Sequence, residues 1–263
     1  MFDINYTNYW EKSLQESIDG LKIADTSVLA NYLGYLKPSK NHKILDHGCS
    51  FGRMFQLLSK YYSCIYGIDI DIGAINKAAR HGYTCLNVAC AENTTFPDKF
   101  FNSIISWGVF DVIKQEKGLI ECNRILKKNG HLLFTVKNND YLESDAYAFT
   151  AERNAKLKSF PHMFTDVKFL LENLHHFGFK LTKCFIAEKR GDMGKNLVSK
   201  FSTNKKFYEA IIILKKEVDI NFDVNIIFTH EFSNVAKHKA IQNNFNDILK
   251  YFIFDKQEEI DYA

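Results

Sequence analysis

Proline, paired cysteine and long apolar runs are scarce in this sequence, and each scarcity excludes something. Only 3 of 263 residues are proline, and no Gly/Ser-rich stretch interrupts the chain, so nothing marks a flexible linker. The six cysteines (Cys49, Cys64, Cys85, Cys90, Cys122 and Cys184) are scattered without a C-x-x-C pair. They read as reduced, mostly buried thiols rather than as a disulfide framework or a metal site. The longest apolar runs, such as Ala210 to Leu214, fall far below the roughly 20 residues that span a bilayer, so no membrane partner is expected. The opening MFDINYTNYWEKS has no basic segment followed by an apolar one and does not read as a secretory signal; a cytoplasmic protein is expected. Charge bias is also missing. A net charge of +3 does not announce nucleic acid or an anionic surface as a partner.

What is present is an ordinary globular composition, 46% apolar and 25% charged, in a length that suits one large α/β domain or a core with additions. Residues 9–36 predict a helix, with Leu14, Ile18, Leu21, Val28, Leu29, Tyr32 and Leu36 at roughly helical intervals and Pro38 as its stop. From Lys43 the pattern changes to strands at 43–46, 64–69, 83–88, 103–107 and 131–137, with helices at 52–61, 72–81 and 115–127 between them. That alternation predicts right-handed crossovers and a doubly wound, mainly parallel sheet with helices on both faces. A helix at 165–177, a strand near 180–187, a basic connection and a strand at 207–215 bring the sheet to seven strands. Val218, Ile220, Phe222, Val224 and Ile226 then alternate with polar residues, which predicts a half-buried strand, and a helix is expected over about 233–252. The expected division is a domain over 1–216, with a helical segment 1–40, and a C-terminal β/α extension over 217–263.

The chemistry is concentrated early. KILDHGCSFGR, residues 43–53, is an apolar strand ending in Asp46, then a turn with Gly48 and Gly52, then the start of a helix. Glycines there let a ligand approach the backbone, beyond the carboxyl end of a strand where open α/β sheets bind ligands. A second strand, CIYGID, ends at Asp69, 21 residues after Gly48, where a carboxylate can accept from both hydroxyls of a ribose. Arg53 stands where a dinucleotide fingerprint has its third glycine, which disfavours NAD and FAD. No G-x-x-x-x-G-K-[ST] loop is present, which disfavours a P-loop nucleotide site.

At these residues the sequence resembles the class I S-adenosylmethionine (SAM)-dependent methyltransferase superfamily, over about residues 40–215. Asp46-x-Gly48-x-Ser50-x-Gly52 is similar to its first motif, with serine where glycine is usual, and Tyr66 to Asp69 is similar to the second. Residues 91–106 resemble the third and fourth, Arg124 to Leu133 the turn into the fifth strand, and Pro161 to Phe179 the approach to the sixth. The resemblance implies SAM as cofactor. Asp46 and the backbone at Gly48, Cys49 and Gly52 would hold its methionine part, and Asp69 its ribose, with Ile70 on the adenine face and Ala91 and Glu92 along the adenine edge. Ser106 and Trp107 would face the sulfonium and the acceptor. Tyr9 and Trp10 lie where relatives carry a lid, although packing of the first helix accounts for them equally. Three departures stand out: Cys90 and Asn102 at positions often occupied by Asp, and Val112 where His is common.

A hydroxyl acceptor needs a base. His162 is the first candidate, against the alternative of an ordinary loop histidine; Asp111 is the second, and could instead cap a helix. No metal is expected, since His175 and His176 have no third ligand at metal spacing. Ser106-Trp107-Gly108-Val109 lacks the [DNS]-P-P-[YF] tetrad of amino-nitrogen methylation, and nucleic acid is not the expected acceptor. Lys189, Arg190, Lys195, Lys200, Lys205 and Lys206 place positive charge beside the expected site, either as a solvated loop or as partners for phosphate. The reading this favours is methylation of a small, anionic acceptor on oxygen, such as a sugar, a nucleotide-linked sugar or another phosphorylated metabolite of polysaccharide synthesis. Two others stay open: an RNA or protein methyltransferase, and a non-catalytic SAM-binding scaffold that dimerises through the 218–226 strand.

Overall fold

Successive residues of the expected strands send their apolar side chains to opposite sides, and this sets the layers of the fold. The computed structural model describes residues 26–157, 162–195, 199–220 and 224–242. The first strands are β1 (Lys43–His47), β2 (Cys64–Asp69), β3 (Cys85–Val88), β4 (Phe101–Ser106) and β5 (Leu126–Asn138). Parallel pairing orders them β3-β2-β1-β4-β5. Two later strands, β7 (Phe179–Ala187) and β9 (Glu209–Lys216), complete the seven principal strands, β9 lying antiparallel between β5 and β7. Two-residue strands β6 (Phe164–Thr165), β8 (Ser199–Lys200) and β10 (Thr229–His230) bring the sheet to ten among the described residues.

Leu45, Ile104, Leu132 and Ile212 face one core; their neighbours Ile44, Ile105, Leu133, Ile211 and Ile213 face the other. Each such side chain, sealed on both sides of the sheet, contributes roughly 1.5–3 kcal/mol of burial free energy. Leu119, Cys122 and Ile125 of the helix α4 (Gln115–Ile125) cover the first face. Val28 and Leu29 of α1 (Thr26–Ala30), the turn Leu33–Leu36, and Leu57 and Leu58 of α2 (Phe55–Leu58) cover the second. The helix expected over 52–61 is thus a single short turn, because the glycine turn runs on to Met54 before a helical hydrogen bond closes. The next helix, α3 (Ile72–Ala78), is capped by Asp71, whose Oδ1 accepts from Gly73 N at 2.7 Å.

One helix lies where none is expected, and two further expectations are corrected. The helix α5 (Ala146–Leu157) was not expected, having little apolar periodicity beyond Ala148 and Ala155; its Glu152 and Asp145 make buried polar contacts instead. The helix at 165–177 begins later, as α6 (Val167–Glu172) capped by Asp166, and ends in a tighter turn at Leu174–Phe177. The strand over 218–226 does not form in its described residues; pairing resumes only at β10, against β6. The reason lies at Lys216, a buried ammonium that donates to Asn123 O and Leu126 O and pairs with Asp219. Asn123 then captures the departing backbone, donating to Val218 O and accepting from Ile220 N. Alternation survives in burial alone, since Ile220, Val224 and Ile226 pack on the protein's own core. The helix expected at 233–252 appears as α7 (Asn234–Gln242), and the remainder lies outside the described residues.

Candidate active site

The carboxyl ends of β1, β2, β4 and β5 share one edge of the sheet, and β1 is flanked there by β2 on one side and β4 on the other. Such a reversal of winding opens a crevice beyond the strand ends. The turn after β1 fills its floor, with Gly48, Ser50 and Gly52 all left-handed (φ 78°, 51° and 84°). At Gly48 a Cβ would stand 2.3 Å from Val109 Cγ2, so only glycine fits. Ser50 occupies the second of these positions at a cost of about 1–2 kcal/mol. Its orientation is fixed nonetheless: Ser50 N donates to Asp69 Oδ2 at 2.8 Å, while Asp71 N donates to Asp69 Oδ1 at 3.0 Å. The two backbone donors hold the Asp69 carboxylate at the end of β2, and each oxygen retains a second acceptor position. Burial raises its pKa, and those donors oppose the rise.

Asp46, 3% exposed, accepts from the Tyr83 hydroxyl at 2.7 Å. Burial pushes its carboxyl up to about 6, with Tyr83 and Arg53 pulling the other way. Such an acid is ionised at neutral pH but poorly compensated, which suits it to receive a cation. Cys49 lies beneath the turn at 1% exposure, its thiol pushed up by burial and by Asp46 and Asp69. A Cβ on Gly67 of β2 would stand 3.0 Å from its sulfur, so a small residue at 49 lets the turn close on β2. Cys49 is a packing residue by this geometry.

His47 is the residue that sequence reasoning missed, although it sits inside the first motif. Its Nε2 lies 3.0 Å from Ala91 O and its Nδ1 2.9 Å from Ser106 Oγ. A carbonyl can only accept, so Nε2 carries the proton and Nδ1 accepts from the serine hydroxyl. Burial lowers its pKa, and the ring is neutral. One imidazole thereby ties the ends of β1 and β4 to the segment after β3, setting Ala91 and the fully buried Ser106 in place. Glu92 closes the neighbouring loop, accepting from Cys90 Sγ at 3.0 Å and from Lys114 N at 2.6 Å. Ile70 sits half-buried between Asp69 and Asp71. Trp107 is 6% exposed, and its carbonyl accepts from the Arg53 guanidinium. Tyr9 and Trp10 lie outside the described residues.

Beyond β4 the chain turns through Phe110–Val112, and here the structure brings both candidate bases together. Asp111 Oδ2 pairs with Lys137 Nζ of β5 at 2.6 Å, both side chains nearly buried. Met163 N donates to Asp111 O at 2.7 Å and docks the His162 segment on the same turn. Burial acts to raise the Asp111 carboxyl, but the Lys137 charge and His162 outweigh it, and the net shift is downward. His162 is pushed down to about 3 by burial, then by Lys137; Asp111 opposes, while Arg190 and Lys156 add to the fall. The basic connection divides. Lys205 pairs with Glu188 and Lys206 with Asp140 at the surface, whereas Arg190 turns inward to the Tyr208 hydroxyl. Among the described residues no group of three metal-ligating side chains occurs, and no helix is long and apolar enough to cross a membrane.

Of the three departures from the family pattern, Asn102 is placed at the opposite end of the sheet, where its Oδ1 accepts from Lys43 N and Lys127 Nζ. It braces strand starts and does not touch the crevice.

Comparison with known proteins agrees with the fold. Residues 45–134 match the model of a methyltransferase domain family. A protein of Methanocaldococcus jannaschii, itself uncharacterised, is 26% identical over 207 residues, covering 77% of this chain and 70% of that one. A SAM-dependent methyltransferase from Thermotoga maritima, described as a possible histamine N-methyltransferase, superposes with a TM-score of 0.60 at 16% identity, covering 80% of this chain and 99% of that one. The methyltransferase solved with the Trm112 activator of Haloferax volcanii gives 0.60 at 15% identity, covering 82% and 98%.

Proposed function

We propose that this chain is a class I, Rossmann-like methyltransferase with SAM as its cofactor, as its match to a methyltransferase domain family over residues 45–134 supports, and that methyl is transferred to a hydroxyl of a small anionic acceptor. Sugars, nucleotide-linked sugars and other phosphorylated metabolites are the class intended. The observation that carries this reading is the buried Asp111–Lys137 pair with the His162 segment docked on it, on the edge where Ser106 and Trp107 end β4.

The donor set suits the cofactor. Asp46, ionised and poorly compensated, receives the ammonium of its methionine part; Asp69, with an acceptor position left on each oxygen, receives the ribose hydroxyls. The left-handed Gly48 and Gly52 keep Cβ atoms out of the approach. Ile70, Ala91 and Glu92 border the adenine side, with His47 holding Ala91 there. SAM supplies a methyl already activated on sulfonium, so alignment by the protein supplies much of the catalysis, about 7–11 kcal/mol for well-oriented reactants.

Lys137 and its partner Asp111 form the wall against which the acceptor is oriented. His162 is neutral at pH 7 and takes the hydroxyl proton. Burial holds its basicity down most, and Lys137 and Arg190 add to it; an anionic acceptor opposes both charges and so raises the basicity of the imidazole. The acceptor thereby activates its own base.

Methyl-labelled SAM incubated with hydroxylated phosphates, nucleotide sugars, RNA and protein tests the acceptor class. Label is expected in the small anionic compounds; label confined to RNA or protein overturns it. His162→Ala is expected to lower kcat while calorimetric SAM affinity is unchanged, and an unaltered kcat rejects His162 as base.

A further inference from the structure

Arg190 is a cation that the fold frames with two tyrosines and, among the described residues, with no acid in a salt bridge. It follows the end of β7, the strand parallel to β5, so it stands at the same edge of the sheet as the candidate bases. Its backbone N donates to Asp145 Oδ2 at 2.8 Å, fixing where the side chain starts. Its Nη1 donates to the Tyr208 hydroxyl at 2.9 Å, fixing where one end of the guanidinium lies. The plane rests between two rings, 5.1 Å from the centroid of Tyr147 and 5.7 Å from that of Tyr208. Yet its Nε is buried and makes no hydrogen bond; the charge of Glu209 favours the guanidinium, but among the described residues no carboxylate forms a salt bridge with it. Lys205 and Lys206, from the same connection, each have one. A buried N–H left unmade costs about 1–3 kcal/mol, a penalty that folded proteins seldom keep without a partner to relieve it.

We propose that Arg190 is the anion clamp of the acceptor site, its Nε–Nη2 edge receiving two oxygens of a carboxylate or phosphate on the acceptor. This rests on the methyl-transfer reading above and adds to it the residue that reads the acceptor. Nη1 is engaged by Tyr208, and the Tyr147 hydroxyl adds to the hold on the guanidinium; the edge that carries the unbonded Nε is the fork that matches an oxyanion in two-point fashion, and only arginine offers it. The two tyrosines hold the fork flat before the ligand arrives, so little ordering is needed on binding. Lys156 and Lys137 lie within the same field, as their influence on His162 records, and add to the attraction without supplying the geometry.

The test uses the full chain saturated with S-adenosylhomocysteine, the demethylated cofactor. The ¹⁵N–¹H resonance of Arg190 Nε is followed as sodium phosphate, sodium acetate or sodium chloride is added at matched ionic strength. A saturable shift with phosphate or acetate, absent with chloride, is expected; phosphate alone assigns the acceptor a phosphoryl group, acetate alone a carboxylate. Arg190→Lys keeps the charge and the backbone contact with Asp145, and is expected to weaken the saturable binding about tenfold or more. No shift with either anion, an equal response to chloride, or undiminished binding by Arg190→Lys overturns the clamp. Anion binding that passes these tests in a protein that methylates nothing anionic would instead fail the reading of function and leave the clamp standing. Methyl transfer to a small anionic acceptor with a silent Arg190 would do the reverse.

Discussion

Asp46 offers the sharpest measure of how the cofactor is held. Burial drives its carboxyl up to about 6, against the pull of Tyr83 and Arg53. Receiving an ammonium requires the ionised form, and an α-amino group of ordinary pKa, about 7.7–8.0, is charged at pH 7 and below. The ionised fraction is about 0.9 at pH 7 and about 0.1 at pH 5, so the Kd for SAM is expected to rise about tenfold over that interval. Asp69, also raised by burial, adds to the slope. In Asp46→Asn an amide oxygen still accepts from Tyr83 but nothing titrates, so the variant should bind weakly at pH 7 and lose the tenfold component. Isothermal calorimetry at pH 5, 6 and 7 on both proteins decides it. Equal slopes in wild type and variant, or a flat wild-type profile, refute the reasoning. The sign for stability is opposite to that of an ordinary salt-bridged acid. A raised folded pKa contributes stability below the unfolded value near 3.9, and this is lost as pH climbs through about 6. For this one group the loss is about 3 kcal/mol, so the ligand-free protein should gain from mild acid at Asp46 while the SAM complex does not.

Other outcomes follow from the same geometry. Asp69→Ala removes the ribose acceptor and the anchor of Ser50 N and Asp71 N, and should weaken SAM by about 10- to 100-fold at the strength of charged hydrogen bonds; equal affinity by calorimetry would sink the ribose assignment. Lys137→Met leaves Asp111 buried and unpaired and should cost about 3–5 kcal/mol in urea unfolding, whereas adding Asp111→Leu should recover most of it. A single variant as stable as the wild type would mean that the pair is solvated. Ser50→Gly relieves a left-handed serine at some cost in chain entropy and should stabilise by about 0.5–1 kcal/mol, read as a higher Tm; a lower Tm contradicts the strain argued at that turn.

The cofactor half of the crevice was legible because it is made by local spacing. Asp46, Gly48, Gly52 and Asp69 fall at strand ends that periodicity alone located, and a glycine turn leaves its mark in the residues that form it. His47 shows the limit. Its partners are 44 and 59 residues away, and a histidine inside a motif looks like filler until Ser106 and Ala91 are brought to it. The proposed acceptor half is harder still, since Asp111, Lys137, the His162 segment and Arg190 lie on four separate stretches of chain.

From the sequence come the layers and the cofactor, because alternation, helical period and a glycine turn are local properties of neighbouring residues. Tertiary structure alone decided which charges are spent and which are kept. Lys205 and Lys206 found surface acids and Lys137 found Asp111, whereas Arg190, among the described residues, rests on tyrosines and forms no salt bridge. It also decided the path at Val218 and Ile220, where Lys216 and Asn123 hold the described chain off the sheet despite its alternating pattern. Pairing of distant groups depends on where the fold delivers them, and no short-range pattern in the chain encodes it.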